Sequence, residues 1–327
     1  MEQTSPNSVA YAQIQTLKQT LNQAILGQPD LINKLLIALL ADGHLLVEGA
    51  PGLAKTRAIK ELAQYIQGDF HRIQFTPDLL PSDLTGTDIF HPQTSSFEFQ
   101  KGPLFHHLVL ADEINRAPAK VQAALLEAMA ERQITIGKQT YKLPDLFLVM
   151  ATQNPLEHEG TYALPEAQLD RFLLYVKIDY PSAQVEQQIL QLARSEASVH
   201  YRAPQANEVS QSTIFTAREE VLRVHLSANL ETYLVQLVMA TRMPAMYDQK
   251  LAQWIRYGVS PRATIALDRC ARAHAWLENR DYVMPCDIHA VLKDVLRHRL
   301  LLSFEAEAEG ISVDEVITHL TQLVAVP

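Results

Sequence analysis

Cysteine is nearly absent from this 327-residue chain, with Cys270 and Cys286 as its only two copies. That scarcity excludes a disulfide framework and a CxxC metal site, and it makes a reducing compartment, the cytoplasm, the expected setting. Long apolar runs are missing too: the longest, Leu35 to Ala41, falls far short of the roughly 18 residues that suggest a membrane span. Met1 to Ser8 contains no basic stretch followed by an apolar core, so no signal peptide is expected, and residues 1–10 read as a flexible tail. Basic charge is in deficit, with 28 Lys and Arg against 37 Asp and Glu and a net charge of −9. An anionic surface repels phosphate backbones and argues against a general nucleic-acid coat. No internal repeat is visible.

What is there is the composition of a folded protein, 47% apolar and 20% charged, long enough for about two domains. Apolar residues recur at helical spacing from Tyr11 to Leu40 and are interrupted at Gly27, which predicts two helices joined at Leu26-Gly27-Gln28. Short apolar runs follow at Leu45–Val47, His107–Leu110, Phe147–Met150 and Phe172–Val176, with a weaker one at His71–Phe75. Helical segments at Thr56 to Ile66 and Ala119 to Glu131 separate them, as in a parallel sheet covered by helices. Phe90 to Phe99 and Gln133 to Leu143 read as β-hairpins added to that core. After Tyr180-Pro181 the pattern becomes helical, so the expected division is an α/β core over 11–181 and an all-α domain over 182–327.

Gly49-Ala50-Pro51-Gly52-Leu53-Ala54-Lys55-Thr56 lies between a strand and a helix, the setting of a phosphate-binding loop. Its backbone N–H groups are expected to wrap the β-phosphate of ATP, Lys55 to neutralise β and γ oxygens, and Thr56 to ligate Mg²⁺. The strict pattern has glycine where Ala54 stands. His107 to Glu113 is a buried strand ending in two acids, costly unless the carboxylates meet a cation or water. Asp112 would hold Mg²⁺ through water, and Glu113 would act as general base on the attacking water. Asn154, in Ala151-Thr152-Gln153-Asn154-Pro155, can contact the γ-phosphate or that water, although Asn-Pro also starts ordinary turns. Arg171, in Leu164-Pro165-Glu166-Ala167-Gln168-Leu169-Asp170-Arg171-Phe172, offers a guanidinium for phosphate or a pairing partner for Asp170 or Glu166. Ser260 and Pro261 make a helix start that puts Arg262 in its first turn, where the helix dipole disfavours a cation unless an anion is near.

Taken together, GAPGLAKT, LVLADEINRAP, ATQNP, LPEAQLDRF and GVSPRA follow the order found in AAA+ ATPases, and over about residues 12 to 320 the chain resembles the MoxR family, where alanine at position 54 is usual. The resemblance implies a five-stranded parallel core with a helix-2 insert and a hairpin before sensor 1, followed by an α-helical lid. It also implies that Arg171 is an arginine finger acting on the neighbouring subunit and that Arg262 is the sensor-2 arginine. Further implications are a homo-oligomeric ring, usually a hexamer, acting on protein clients, and a partner with a von Willebrand factor A (VWA) domain. A nucleic-acid motor and a nucleotide-switched scaffold are the competing readings; net charge speaks against the first and Glu113 against the second. The histidines match no metal-ligand spacing, since Tyr162 stands where HExxH from His158 would need its second histidine. Arg272, Arg280 and Arg297-His298-Arg299 read as solvated charge, and Arg116 as a possible inter-subunit contact.

Overall fold

The computed structural model describes residues 8–155, 160–197 and 207–326. His158-Glu159, most of the tail and residues 203–206 of the polar interval at 203–211 lie outside them. The two N-terminal helices run Val9–Ala24 and Pro29–Leu40. Between them Gly27 has φ of +77°, and a Cβ there would come within 2.3 Å of Val185 Cγ1.

The strands are β1 Leu45–Glu48, β2 Phe70–Gln74, β3 Gly86–His91, β4 Ser96–Lys101, β5 Leu108–Asp112, β6 Gln133–Ile136, β7 Gln139–Lys142, β8 Leu148–Gln153, β9 Leu174–Lys177, β10 Ile255–Tyr257 and β11 Leu301–Leu302. Five of them form one parallel sheet in the order β2-β5-β8-β1-β9. The weak run at His71–Phe75 is therefore an edge strand, and β9 begins two residues later than the apolar run suggests. The hairpins are the antiparallel pairs β3–β4 and β6–β7, joined by stacking of Phe99 on Tyr141 at 4.2 Å.

Alternation along each strand assigns the two faces of the sheet. Leu46, Val109, Ala111, Val149 and Ala151 pack with the helix Ala119–Glu131 and the β6–β7 hairpin. Leu45, Val47, Leu108, Leu110, Leu148, Met150, Leu174 and Val176 pack with both N-terminal helices and the helix Lys55–Gln64. The same cluster continues into Ile214, Leu234, Leu267, Leu292 and Ile317, so helices of the region beyond residue 207 share a core with the sheet. Five of these helices are capped by serine: Ser210, Ser227, Ser260, Ser303 and Ser312 each accept a first-turn N–H. The helical region contains one pair of short strands, β10 with β11, that the sequence pattern does not announce. Among the described residues no helix is long and apolar enough to cross a membrane.

Because all five strands run the same way, every loop after a strand lies on one edge of the sheet and every segment before a strand on the other. The 49–56 loop, Asp112, Glu113 and Asn154 share the C-terminal edge; Asp42–His44 and Asp170–Leu173 share the N-terminal edge. A four-residue strand separates those edges by about 13 Å.

Candidate active site

The 49–56 loop takes its shape from three backbone requirements. A Cβ on Gly49 would lie 2.4 Å from Ile178 Cγ1 and 2.9 Å from its carbonyl oxygen, so the loop leaves β1 against that neighbour only as glycine. Gly52 has φ of +85°. Ala54, the residue before the helix Lys55–Gln64, has φ of +60°. That left-handed conformation explains why the strict pattern has glycine there, and alanine adopts it at a cost of about 1 kcal/mol. Lys55 Nζ donates to the carbonyls of Gly49 and, at 3.2 Å, of Gln153, tying the loop to the end of β8. Thr56 stands in the first helical turn, where free N–H groups and the helix dipole favour a phosphate.

Strand pairing brings the acids to this loop. Asp112 Oδ1 accepts from the Thr152 hydroxyl at 2.6 Å, and its Oδ2 accepts from Arg72 Nε at 3.0 Å and Nη2 at 2.6 Å. Glu113, with φ of +58°, turns away from the strand; its N–H donates to Thr152 Oγ1 at 2.9 Å. Its carboxylate accepts from Gln74 Nε2 at 2.8 Å and from Arg116 Nη1 at 3.0 Å. Arg116 therefore touches the acid of its own chain. Asn154 is buried directly after β8, beside the carbonyl that Lys55 engages.

A 260 Å³ pocket adjoins the loop, with apolar walls from Ile25, Leu26, Leu53, Ile189 and Leu192 and polar edges from Gln28 and Arg57. It suits a flat ring with a polar rim, such as a nucleobase. Arg57 closes it by pairing with Glu196, with Nη1 to Oε2 at 3.1 Å, which links the loop's helix to the helix Ala183–Glu196. A glycine-shaped loop opening onto a helix N-terminus, a lysine at its rim, two acids and this pocket fit a nucleoside triphosphate with a divalent cation.

Arg171 and Arg262 are not part of this constellation. They line a separate 330 Å³ cleft at the N-terminal edge, together with Arg132, Arg269, Arg299, Asp42 and Asp170. Arg171 Nη1 donates to the Leu126 carbonyl at 2.8 Å, so neither Asp170 nor Glu166 is its hydrogen-bond partner there. Arg262 lies 3.7 Å from Asp170 with its side chain half exposed. Asp42 receives Arg132 and Arg218, each at 2.6 Å. His44 forms the floor: its Nδ1 accepts from the Val149 N–H at 3.0 Å and its Nε2 donates to the Met129 carbonyl. Burial, reinforced by Arg132, lowers its pKa to about 4.

The Arg297-His298-Arg299 run is not solvated. These residues follow the helix Pro285–Leu296 and pack under β9, with His298 and Arg299 buried. His298 and Arg299 both donate to the Phe172 carbonyl, at 3.1 Å and 2.6 Å, and Arg297 pairs with Asp294 and Asp314. Arg280 is likewise not merely solvated charge: it holds buried Asp287, and Arg272 pairs with Asp268.

Residues 44–174 match the ATPase family associated with various cellular activities (AAA), and residues 250–320 match the AAA lid domain. Chaperone MoxR1 of Mycobacterium tuberculosis is 44% identical, with 97% of this chain and 84% of the relative covered. Protein MoxR of Paracoccus denitrificans is 36% identical over 90% of each chain. The chain belongs to the MoxR family of AAA ATPases. A crystal structure of a protein assigned as an ATPase, from Cytophaga hutchinsonii, superposes with a TM-score of 0.90 at 47% identity, covering 97% of this chain and 96% of the other. Within this MoxR-family architecture, sequence reasoning missed Arg72, Gln74 and Thr152, because their contacts depend on which strands are neighbours. It also missed the pocket walls, for which the Leu26-Gly27-Gln28 joint was the available signal.

Proposed function

We propose that this MoxR-family ATPase hydrolyses ATP with Mg²⁺ at the C-terminal edge of its sheet, in a homo-oligomeric ring, a hexamer by family resemblance. The observation that carries the reading is the division of catalytic residues between two edges: a nucleotide on the 49–56 loop lies a strand's length from Arg171 and Arg262 of the same chain. An arginine finger so placed works on a neighbouring subunit, where such fingers are worth about 10³ to 10⁵ in rate. Arg262 shares the cleft with Arg171, so we assign both to the neighbour's nucleotide.

In this reading Lys55 and the loop N–H groups hold the β- and γ-phosphates, while Thr56 and Asp112 hold the cation, Asp112 through water. A bound Mg²⁺ would neutralise charge developing on the phosphate oxygens. Glu113 takes the proton from the attacking water, and Asn154 orients that water by its amide. Gln74 and Arg116 both engage Oε2 of Glu113, so we assign the proton transfer to Oε1. Thr152 fixes Asp112 and the Glu113 backbone together, so the two acids move as a pair.

The hydrolytic cycle serves to remodel or mature protein clients in the cytoplasm, with a VWA-domain protein as partner. Support comes from the β3–β4 hairpin, whose Phe90 and Phe97 pair at 5.1 Å with Phe97 71% exposed, an apolar handhold that soluble surfaces seldom leave uncovered. The test is turnover per subunit as a function of protein concentration. It is expected to rise through the range in which sedimentation shows assembly, and Lys55→Ala is expected to abolish nucleotide binding throughout. Full turnover by a monomer would overturn the ring reading.

A further inference from the structure

Asp170 stands where three segments remote in sequence meet. Its Oδ1 accepts from Arg299 Nε at 2.8 Å. Its Oδ2 accepts from the Ser260 hydroxyl at 2.9 Å and lies 3.7 Å from Arg262 Nη1. Arg299, only 9% exposed, spends its remaining donors on the carbonyls of Leu173 at 3.2 Å, Phe172 at 2.6 Å, Asp170 at 3.4 Å and Val295. A guanidinium this deeply buried needs both a counter-charge and acceptors for its fork of N–H groups. One carboxylate and the 170–173 turn supply them. That turn carries Arg171, whose Nη1 is fixed in turn by the Leu126 carbonyl. Ser260, through the same carboxylate, fixes the start of the helix that carries Arg262.

We propose that Asp170 is the positioning residue of the arginine cleft: by clasping Arg299 on one oxygen and Ser260 on the other, it holds Arg171 and Arg262 as one unit for the neighbouring subunit's nucleotide. The proposal rests on the reading that both arginines act in trans. Its consequence is that a charge lost at Asp170 impairs the neighbour's hydrolysis and leaves the chain's own nucleotide loop intact.

The test compares Asp170→Asn with Arg171→Ala, each alone and mixed with Lys55→Ala subunits, which keep an intact cleft but cannot hold nucleotide. Asp170→Asn is expected to lower kcat about 10- to 100-fold, the cost of an ångström-scale misplacement, while nucleotide affinity and KM stay near those of the parent. Mixing with Lys55→Ala should restore turnover well above the sum of the separate proteins, because the added subunits lend their clefts to the Asp170→Asn subunits' nucleotides. If Arg171→Ala is rescued by mixing and Asp170→Asn is either unimpaired or not rescued, the positioning role is overturned and the trans reading stands. If Arg171→Ala is itself not rescued, the trans reading fails and this proposal with it. Should Asp170→Asn fail to fold, judged by its thermal melt, Ser260→Ala decides. The expected result is a loss in kcat of about fivefold, one hydrogen bond's worth, rescued by Lys55→Ala; an unchanged kcat overturns the proposal.

Discussion

The two edges of the central sheet are built on opposite plans. At the C-terminal edge the site is largely backbone: eight consecutive residues, 49–56, shaped by Gly49, Gly52 and a left-handed Ala54, with both acids presented at the end of β5, one strand removed from β1. At the N-terminal edge the site is side chains, arginines gathered from positions 132, 171, 262, 269 and 299 and balanced against Asp42 and Asp170. The first binds through what its neighbours in sequence impose and the second through what the tertiary fold brings together. On the proposed reading, one chain presents two halves of a catalytic centre that do not meet within it, and the unit of catalysis is a pair of subunits.

The comparison can be broken most forcefully at Arg171. Arg171→Ala is expected to cut turnover by about 10³-fold or more while fluorescent-nucleotide binding is retained; an unchanged rate would return catalysis to a single edge. Glu113→Gln comes next, with a loss of about 10²- to 10⁴-fold, the range for a missing general base. That variant should retain bound ATP through gel filtration, and normal hydrolysis would remove Glu113 from the base role. At the arginine edge, pH offers a probe of His44. Its pKa near 4 lies below the roughly 6.5 of an unfolded chain, so the unfolded state binds the proton first as pH falls. The stability His44 contributes is therefore complete above about pH 6.5 and lost between there and about pH 4, some 3 kcal/mol in all. Urea titrations of the parent and His44→Asn should show a flatter pH dependence in the variant. The smallest effect belongs to Gln74→Ala. Removing one of the two donors on Oε2 makes the Glu113 carboxylate more basic and is expected to raise basal turnover about threefold, and a lowered rate would mean that Gln74 aims the carboxylate.

Legibility in the sequence follows the same division. The apolar runs, the 49–56 loop, the Asp112-Glu113 pair and the Ser260-Pro261 helix start were readable because each is local: a strand period, a turn requirement or a cap within four residues. The Thr152 link to Asp112 was not, since it exists only when β8 lies beside β5. Nor were the Arg72 and Gln74 contacts, which need β2 at the sheet edge next to β5. Arg297-His298-Arg299 was misread for a physical reason. Three consecutive polar residues at a helix end look solvated unless one knows that the Phe172 and Leu173 carbonyls, 126 to 127 positions earlier, accept from His298 and Arg299 and that the Tyr175 carbonyl accepts from Arg297. The change in pattern at residue 181 is a change in secondary structure, whereas the apolar cluster passes through it without a break.

That unbroken cluster bears on how the molecule can move. Swinging the whole helical region away from the sheet about a pivot at residue 181 would expose side chains such as Ile214, Leu267 and Val291, at about 25 cal/mol for each Å² of apolar surface returned to water. The helix Ala183–Glu196 is different: it buries none of its side chains, yet it supplies Ile189 and Leu192 to the pocket beside the nucleotide loop. Displacing it gives up the Arg57–Glu196 pair and the packing of Val185 at the Gly27 joint, but moves no fully buried side chain of its own. Of these two movements, lifting that single helix returns less apolar surface to water than opening the whole helical region like a jaw.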